Sequence, residues 1–188
     1  MKHVGPAIRL FIFMTGLTGL VYPALVTGIA QSFFYDQANG SVVGRSGVII
    51  GSSLVAQNFT GPNYFWPRPS AADFNPLPSA GTNQGPISAA LKTTFEERKE
   101  KLKMAHPEKG EPPQDLLFSS GSGLDPEISV VAARYQIERI AKARGIKEVQ
   151  LVQLVDKLTK GRQIGILGEP RVNVLLLNLA LDEAQEVQ

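Results

Sequence analysis

One stretch constrains this chain more than any other: Leu10 to Ala30, LFIFMTGLTGLVYPALVTGIA, twenty-one residues without a charge. At about 1.5 Å of rise per residue, a helix of that length reaches about 30 Å and crosses a hydrocarbon core with some tilt. A soluble helix of that length would carry a polar face, and this run has none. A cleaved signal peptide is the competing reading, because Gly28 and Ala30 form a small-x-small pair. The apolar region is longer than the roughly 7 to 15 residues of a secretory signal, and Pro23 lies well inside it. Both points favour an uncleaved anchor in the lipid bilayer.

Lys2 and Arg9 precede the run, whereas Phe33, Phe34, Tyr35 and Asp36 follow it. The positive-inside rule then puts the amino terminus in the cytoplasm and the aromatic trio at the outer interface. The expected organisation is a cytoplasmic segment 1–9, a transmembrane helix 10–30 and one extracytoplasmic domain 31–188. That domain holds seventeen basic and seventeen acidic residues, so the basic footprint of a nucleic-acid binder is absent. The lack of cysteine excludes disulfides, thiolate metal sites and cysteine nucleophiles. With only His3 and His106 present, neither a histidine metal site nor a Ser-His-Asp triad is easy to build.

After Asn39-Gly40, a turn signal, Ser41 to Val43 and Gly47 to Ile50 read as a hairpin turning at Arg45 to Gly47. Gly51 to Pro86 contains six prolines and forms no single regular element. It also gathers Phe59, Tyr64, Phe65, Trp66 and Phe74. Such a loop either packs its rings on its own domain or offers them to a partner. Arg68, held extended between Pro67 and Pro69, has a defined direction that suits a structural pairing or a partner contact.

Pro86 suits the first turn of a helix along which Ile87, Leu91, Phe95, Arg98 and Leu102 recur. Ser119 to Ser129, SSGSGLDPEIS, reads as a turn feeding a helix capped by Asp125 or Ser129. It has no Gly-Lys-Ser/Thr ending and so is no P-loop. Val130 to Arg144 is amphipathic and stops at Gly145, and a further helix spans about Lys147 to Thr159. Val172 to Leu181 is nearly all apolar, with leucines alternating as in a strand and Asn173 placed to cap a helix; periodicity leaves both open. The last seven residues are polar and expected to fray.

Taken in order, GSSLVAQNF at Gly51 to Phe59, YFWPRPSAADFN at Tyr64 to Asn75, SAGTNQGP at Ser79 to Pro86, DLLFSSGSGLDPEIS at Asp115 to Ser129, Gln136 with Arg139 and Arg144, and GEPRVNVLLLNLALD at Gly168 to Asp182 closely resemble the KdpC family. This is the C subunit of the bacterial Kdp potassium-transporting P-type ATPase. Glu127 stands where the family commonly has histidine and Val130 where it has proline, which leaves the glycine and proline scaffold of the motif intact.

The resemblance implies an α+β architecture, one amino-terminal transmembrane helix followed by a single extracytoplasmic mixed α/β domain, in the inner membrane. It implies a non-catalytic accessory subunit beside a potassium-channel-like A subunit, an ATP-hydrolysing B subunit and a small F subunit. Assembly support is expected, as is action as a catalytic chaperone that raises the ATP affinity of the B subunit. The aromatic segment, through Tyr64, Phe65, Trp66, Arg68 and Phe74, is the expected partner-binding surface. If ATP is bound directly, the resemblance points to Gln57, Ser120, Gly121, Ser122 and Gly123. A third reading, an exported enzyme using Asp73, Asp115, Asp125 and Glu169 as acid and base, lacks any spacing that unites two of them.

Overall fold

The structure is a computed structural model and describes residues 3–45 and 47–186. Lys2, part of the orientation argument, and Ser46, at the expected hairpin turn, lie outside the described residues. The chain divides into two compact units, Met1–Ile50 and Gly51–Gln188.

In the first unit, α1 (Val4–Gly16), a π-helical turn (Leu17–Val21) and α2 (Tyr22–Phe33) form one continuous helical rod. The span Val4–Phe33 has 30 residues, a mean hydropathy of 1.8 in its most apolar window and no buried share of that window. Pro23 explains the π turn. Its ring lacks an N–H and crowds the carbonyl one turn earlier, so the backbone loosens just ahead of it. The Tyr22 N–H accordingly reaches back five residues to the Leu17 carbonyl. Thr18 Oγ1 donates to the Met14 carbonyl at 2.7 Å, satisfying its hydroxyl within the helix, as a lipid surround requires. A short helix α3 (Tyr35–Ala38) follows, then Gly40 at φ 84° and the hairpin strands β1 (Val42–Arg45) and β2 (Val48–Ser52).

The second unit packs the last three of its four α-helices about a small antiparallel ribbon. Strand β3 (Glu127–Ser129) pairs with β4 (Arg171–Asn173), with Ile128 opposite Val172. The first helix, α4 (Ala89–Ala105), begins later than the sequence suggests. Ser88 caps it by accepting the Leu91 N–H, so Pro86 lies before the helix and Ile87 is 98% exposed. The side-chain cap defines the start better than the proline does.

The helix α5 (Val130–Arg144) starts at Ser129, whose hydroxyl accepts the Ala132 N–H at 3.0 Å, and ends at Gly145 in the left-handed conformation, φ 68°. Of the two cap candidates, Ser129 is the one used. Then come α6 (Glu148–Leu158) and α7 (Val174–Glu186). The ambiguous apolar run is both things in turn: β4 passes directly into α7, and Asn173 Oδ1 accepts the Leu176 N–H at the junction. Of the polar end expected to fray, the residues through Glu186 are helical in α7, and Val187 and Gln188 lie outside the described residues. Arg144 ties this end of the helix down through Asp182 at 2.7 Å and through Gln185.

The core gathers Ile128 and Val172 from the ribbon, Ala133, Ile137 and Ile140 from α5, Leu151 and Val155 from α6, and Leu177 and Leu181 from α7. Phe65, from the long loop, is also part of it and has no exposed surface. The whole is a mixed α/β domain preceded by one apolar helix long enough to cross a membrane.

Candidate functional site

The candidate site is the extended stretch Asn63 to Ser70. It lies outside helices and strands, so its backbone groups need other partners. Side-chain amides supply them. Asn178 of α7 accepts the Phe65 N–H through Oδ1 at 2.8 Å and donates Nδ2 to the Phe65 carbonyl at 3.0 Å. Gln136 of α5 does the same for Trp66, accepting its N–H at 2.7 Å and donating to its carbonyl at 3.1 Å. A carboxamide carries the same donor and acceptor as a peptide group, so the loop is gripped as a strand would be, with no strand beside it. A third amide, Asn173 Nδ2, holds the Ser53 carbonyl at 2.8 Å. Gln136 and Asn178 are 0% and 1% exposed, burial tolerable only because their amide groups are paired in this way.

Two arginines of α5 close the grip. The Arg139 guanidinium carbon lies 4.1 Å from the Trp66 ring centroid, in cation–π contact. Its Nη2 donates to the Tyr64 carbonyl at 3.0 Å and to Gln136 Oε1 at 2.9 Å, its Nη1 to the Pro62 carbonyl, and its Nε to His106 Nε2 at 3.1 Å. Burial pushes Arg139 down to about 10, which leaves it charged at neutral pH. Because His106 Nε2 accepts from Arg139, the ring proton sits on Nδ1 and is given to the Leu102 carbonyl at 2.9 Å. Burial lowers the His106 pKa, and the Arg139 charge adds to the effect while the Leu102 carbonyl opposes it. Arg144 binds the Asn63 carbonyl at 2.7 Å and Asp182 at 2.7 Å, and lies 4.8 Å from the Tyr64 ring centroid. The Tyr64 hydroxyl donates to the same Asp182 at 3.2 Å.

Arg68 pairs with Asp125 at 2.9 Å, the structural pairing that its two prolines favour. Asp125 also accepts the Glu127 N–H, making the turn into β3. The glycines of the Ser119–Ser129 motif permit close backbone approach. A Cβ on Gly123 (φ 71°) would lie 2.9 Å from the Ala80 carbonyl, and one on Gly81 would lie 2.8 Å from the Gly121 carbonyl. The two glycine-bearing segments thus interlock, with Ser120 buried and its N–H donated to the Pro69 carbonyl at 3.3 Å, and Ser122 turned to its own backbone through the Leu124 N–H. Gln57 packs on Gly51, where a Cβ would meet its amide at 2.0 Å, and the neighbouring Ala56 N–H binds the Leu124 carbonyl at 2.9 Å.

Of the aromatic candidates, Phe65 belongs to the core, Tyr64 and Trp66 are half-buried under the two arginines, and Phe74 joins Phe59 and Trp66 in walling an open cavity of about 190 Å³. Three of the four carboxylates considered as acid and base, Asp115, Asp125 and Glu169, line one wide cleft, whereas Asp73 does not. Each of the three is engaged: Asp115 by the Ser129 N–H, Asp125 by Arg68, and Glu169 by Arg162. Such an arrangement orders a loop and offers no free acid–base pair.

Gln136, Arg139 and Arg144, named in the sequence only through the resemblance, Asn173, named only as a helix cap, and Asn178, not named individually, prove to be parts of the grip, a role the sequence reading assigned to none of them. A signal existed for the amides, since each interrupts an otherwise apolar helix face or run. For the arginines the signal lay in the family resemblance alone, because periodicity fixes where a Cβ points and not where a long side chain ends.

The family described as "KdpC: K+-transporting ATPase, c chain" matches residues 4–183. The potassium-transporting ATPase KdpC subunit of Paraburkholderia phytofirmans is 52% identical over 182 residues, covering 95% of each chain. That of Sorangium cellulosum is 49% identical over 191 residues, covering 98% of this chain and all of the other. That of Dechloromonas aromatica is 48% identical over 185 residues, covering 96% and 97%.

Proposed function

The chain belongs to the family of K+-transporting ATPase c chains, and on that premise we propose that it is the non-catalytic, membrane-anchored accessory subunit of an ATP-driven potassium uptake complex. It supports assembly with a channel-like A subunit, an ATP-hydrolysing B subunit and a small F subunit, and as a catalytic chaperone raises the ATP affinity of the B subunit. Potassium is the ion the complex carries. The helix docks in the inner membrane with its amino terminus in the cytoplasm, and the domain from residue 31 onward faces outward. Contact with the partners runs through the accessible parts of Tyr64, Trp66, Arg68 and Phe74.

The observation that carries this reading is the helix Val4–Phe33, charged only at Arg9 and buried nowhere against its own chain along its most apolar window. Surface of that kind is stable only against lipid or another apolar helix. A tagged chain purified in mild detergent is expected to bring the other subunits with it, and recovery of the chain alone would overturn the proposal. A reporter active only outside the cytoplasm, fused after residue 188, is expected to be active.

A second reading, direct ATP binding, draws on one contact: the Ala56 bond to Leu124 places Gln57 beside the Ser120–Gly123 loop. Against it stand the burial of Ser120 and the use of both glycines in backbone packing. Absence of saturable binding at millimolar ATP by the detergent-solubilised chain would remove it.

A further inference from the structure

We propose that the cavity walled by Phe59, Trp66 and Phe74 is the receptor for an acidic side chain of a partner subunit, whose carboxylate is taken by Arg98 and Lys101. The proposal rests on the docking role given above to the aromatic segment and names its chemistry.

Charge is the first argument. Arg68, Arg98 and Lys101 line the cavity, and no Asp or Glu does. Arg68 is already paired with Asp125. Arg98 and Lys101 form no ion pair within 4 Å among the described residues; Arg98 donates only to the Leu117 carbonyl at 2.8 Å, and the Lys101 ammonium lies 5.5 Å from the Trp66 ring centroid. Burial pushes Arg98 below the usual guanidinium range, partly offset by Glu97. A carboxylate placed between these two cations restores what burial removed.

Size is the second argument. A cavity of about 190 Å³ falls below the roughly 300–1,000 Å³ of sites that enclose small molecules. It suits one side chain and is too small for a nucleotide.

Backbone geometry is the third. Asp73 and Phe74 are both left-handed, at φ 50° and 59°, a conformation that side chains of L residues rarely adopt and a ring-bearing residue least of all. Ser70 Oγ holds this bend by accepting the Ala72 and Phe74 N–H groups at 3.1 and 2.9 Å. Strain of this kind concentrates where a side chain has to be presented, and here it brings the Phe74 ring to the cavity. Arg98 fits the same pattern, since it breaks the apolar stripe of α4 between Phe95 and Leu102.

The absence of native cysteine makes the test clean. Thr60 is exposed and lines the cavity, so Thr60→Cys in the full-length chain reports access to it. In the free chain an anionic methanethiosulfonate reagent is expected to react several-fold faster than a cationic one, and Lys101→Glu should abolish that preference. In the purified complex the anionic reagent should slow at least tenfold. Lys101→Glu should also reduce co-purification of the partner subunits several-fold, with Lys101→Arg restoring it and the thermal transition of the chain unchanged. Unchanged labelling in the complex, or wild-type co-purification by Lys101→Glu, would overturn the acidic receptor while leaving the docking role intact. Failure of the wild-type chain to bring down any subunit would overturn the docking role itself.

Discussion

The helix Val4–Phe33 and the helix α7 are both rich in apolar residues, yet they treat polar atoms in opposite ways. The first buries no part of its most apolar window within the chain, and its Thr18 hydroxyl turns back to the Met14 carbonyl of the same helix. The second buries Leu177 and Leu181 and sets Asn178 among them, with the amide directed to the backbone of another segment. A helix facing lipid must satisfy its polar groups internally, whereas a core helix uses them to fix a neighbour. An inward polar group bonded beyond its own helix therefore marks a core helix better than hydropathy does.

Four measurements bear on that contrast, taken from the largest expected effect downward. Phe65→Ala empties the one fully buried ring of the gripped loop and should destabilise the domain by roughly 3–5 kcal/mol, read by denaturant titration of the chain in detergent. Leu17→Arg, near the middle of the span, should oppose membrane insertion by about 3 kcal/mol and deplete the membrane fraction. Ile164→Arg, at an exposed apolar site of the domain, should leave that fraction unchanged. Equal membrane recovery of both variants would break the contrast at its first term.

Asn178→Leu makes the buried face of α7 wholly apolar and strands the Phe65 N–H and carbonyl, for which a loss of about 2 kcal/mol is expected. A neutral or stabilising result would mean that the amide does not fix the loop.

The smallest effect is that of pH. The folded chain resists protonating His106, whose pKa burial lowers below the ordinary 6.5, while the unfolded chain takes that proton near 6.5. Stability is therefore complete above about pH 6.5 and declines as pH falls below it. The slope is at most about 1.4 kcal/mol per pH unit until the folded side chain titrates. A thermal transition of the domain that His106→Gln leaves equally sensitive to acid would refute this assignment.

The legible parts of the fold were those in which a local rule decides. α5 announces itself through Ser129, its apolar spacing and Gly145, and the span through length and the lack of charge. The Val172–Leu181 run was undecidable because its alternation of leucines also satisfies a helix, and because a three-residue strand joins the helix without a break. Strand β3 escaped notice for a related reason: it is three residues long and is defined by its partner β4, more than forty positions away, which no window of local pattern reaches. At the site, the aromatic segment and the Arg68 pairing were visible in composition and in the flanking prolines. The grip itself, built by Gln136, Arg139, Arg144 and Asn178, depends on contacts between positions far apart in sequence.

The π turn at Leu17–Val21 has a consequence for whatever packs beside the span. One additional residue within a turn sets the helical phase of everything after it back by about 100°. Gly16 and Gly28, which would stand about 120° apart on a regular helix, are thereby brought to within about 20° of one face. A neighbour following these small residues keeps its track across the break, so the turn gives the rod one long close-packing face that a regular helix of the same sequence would lack.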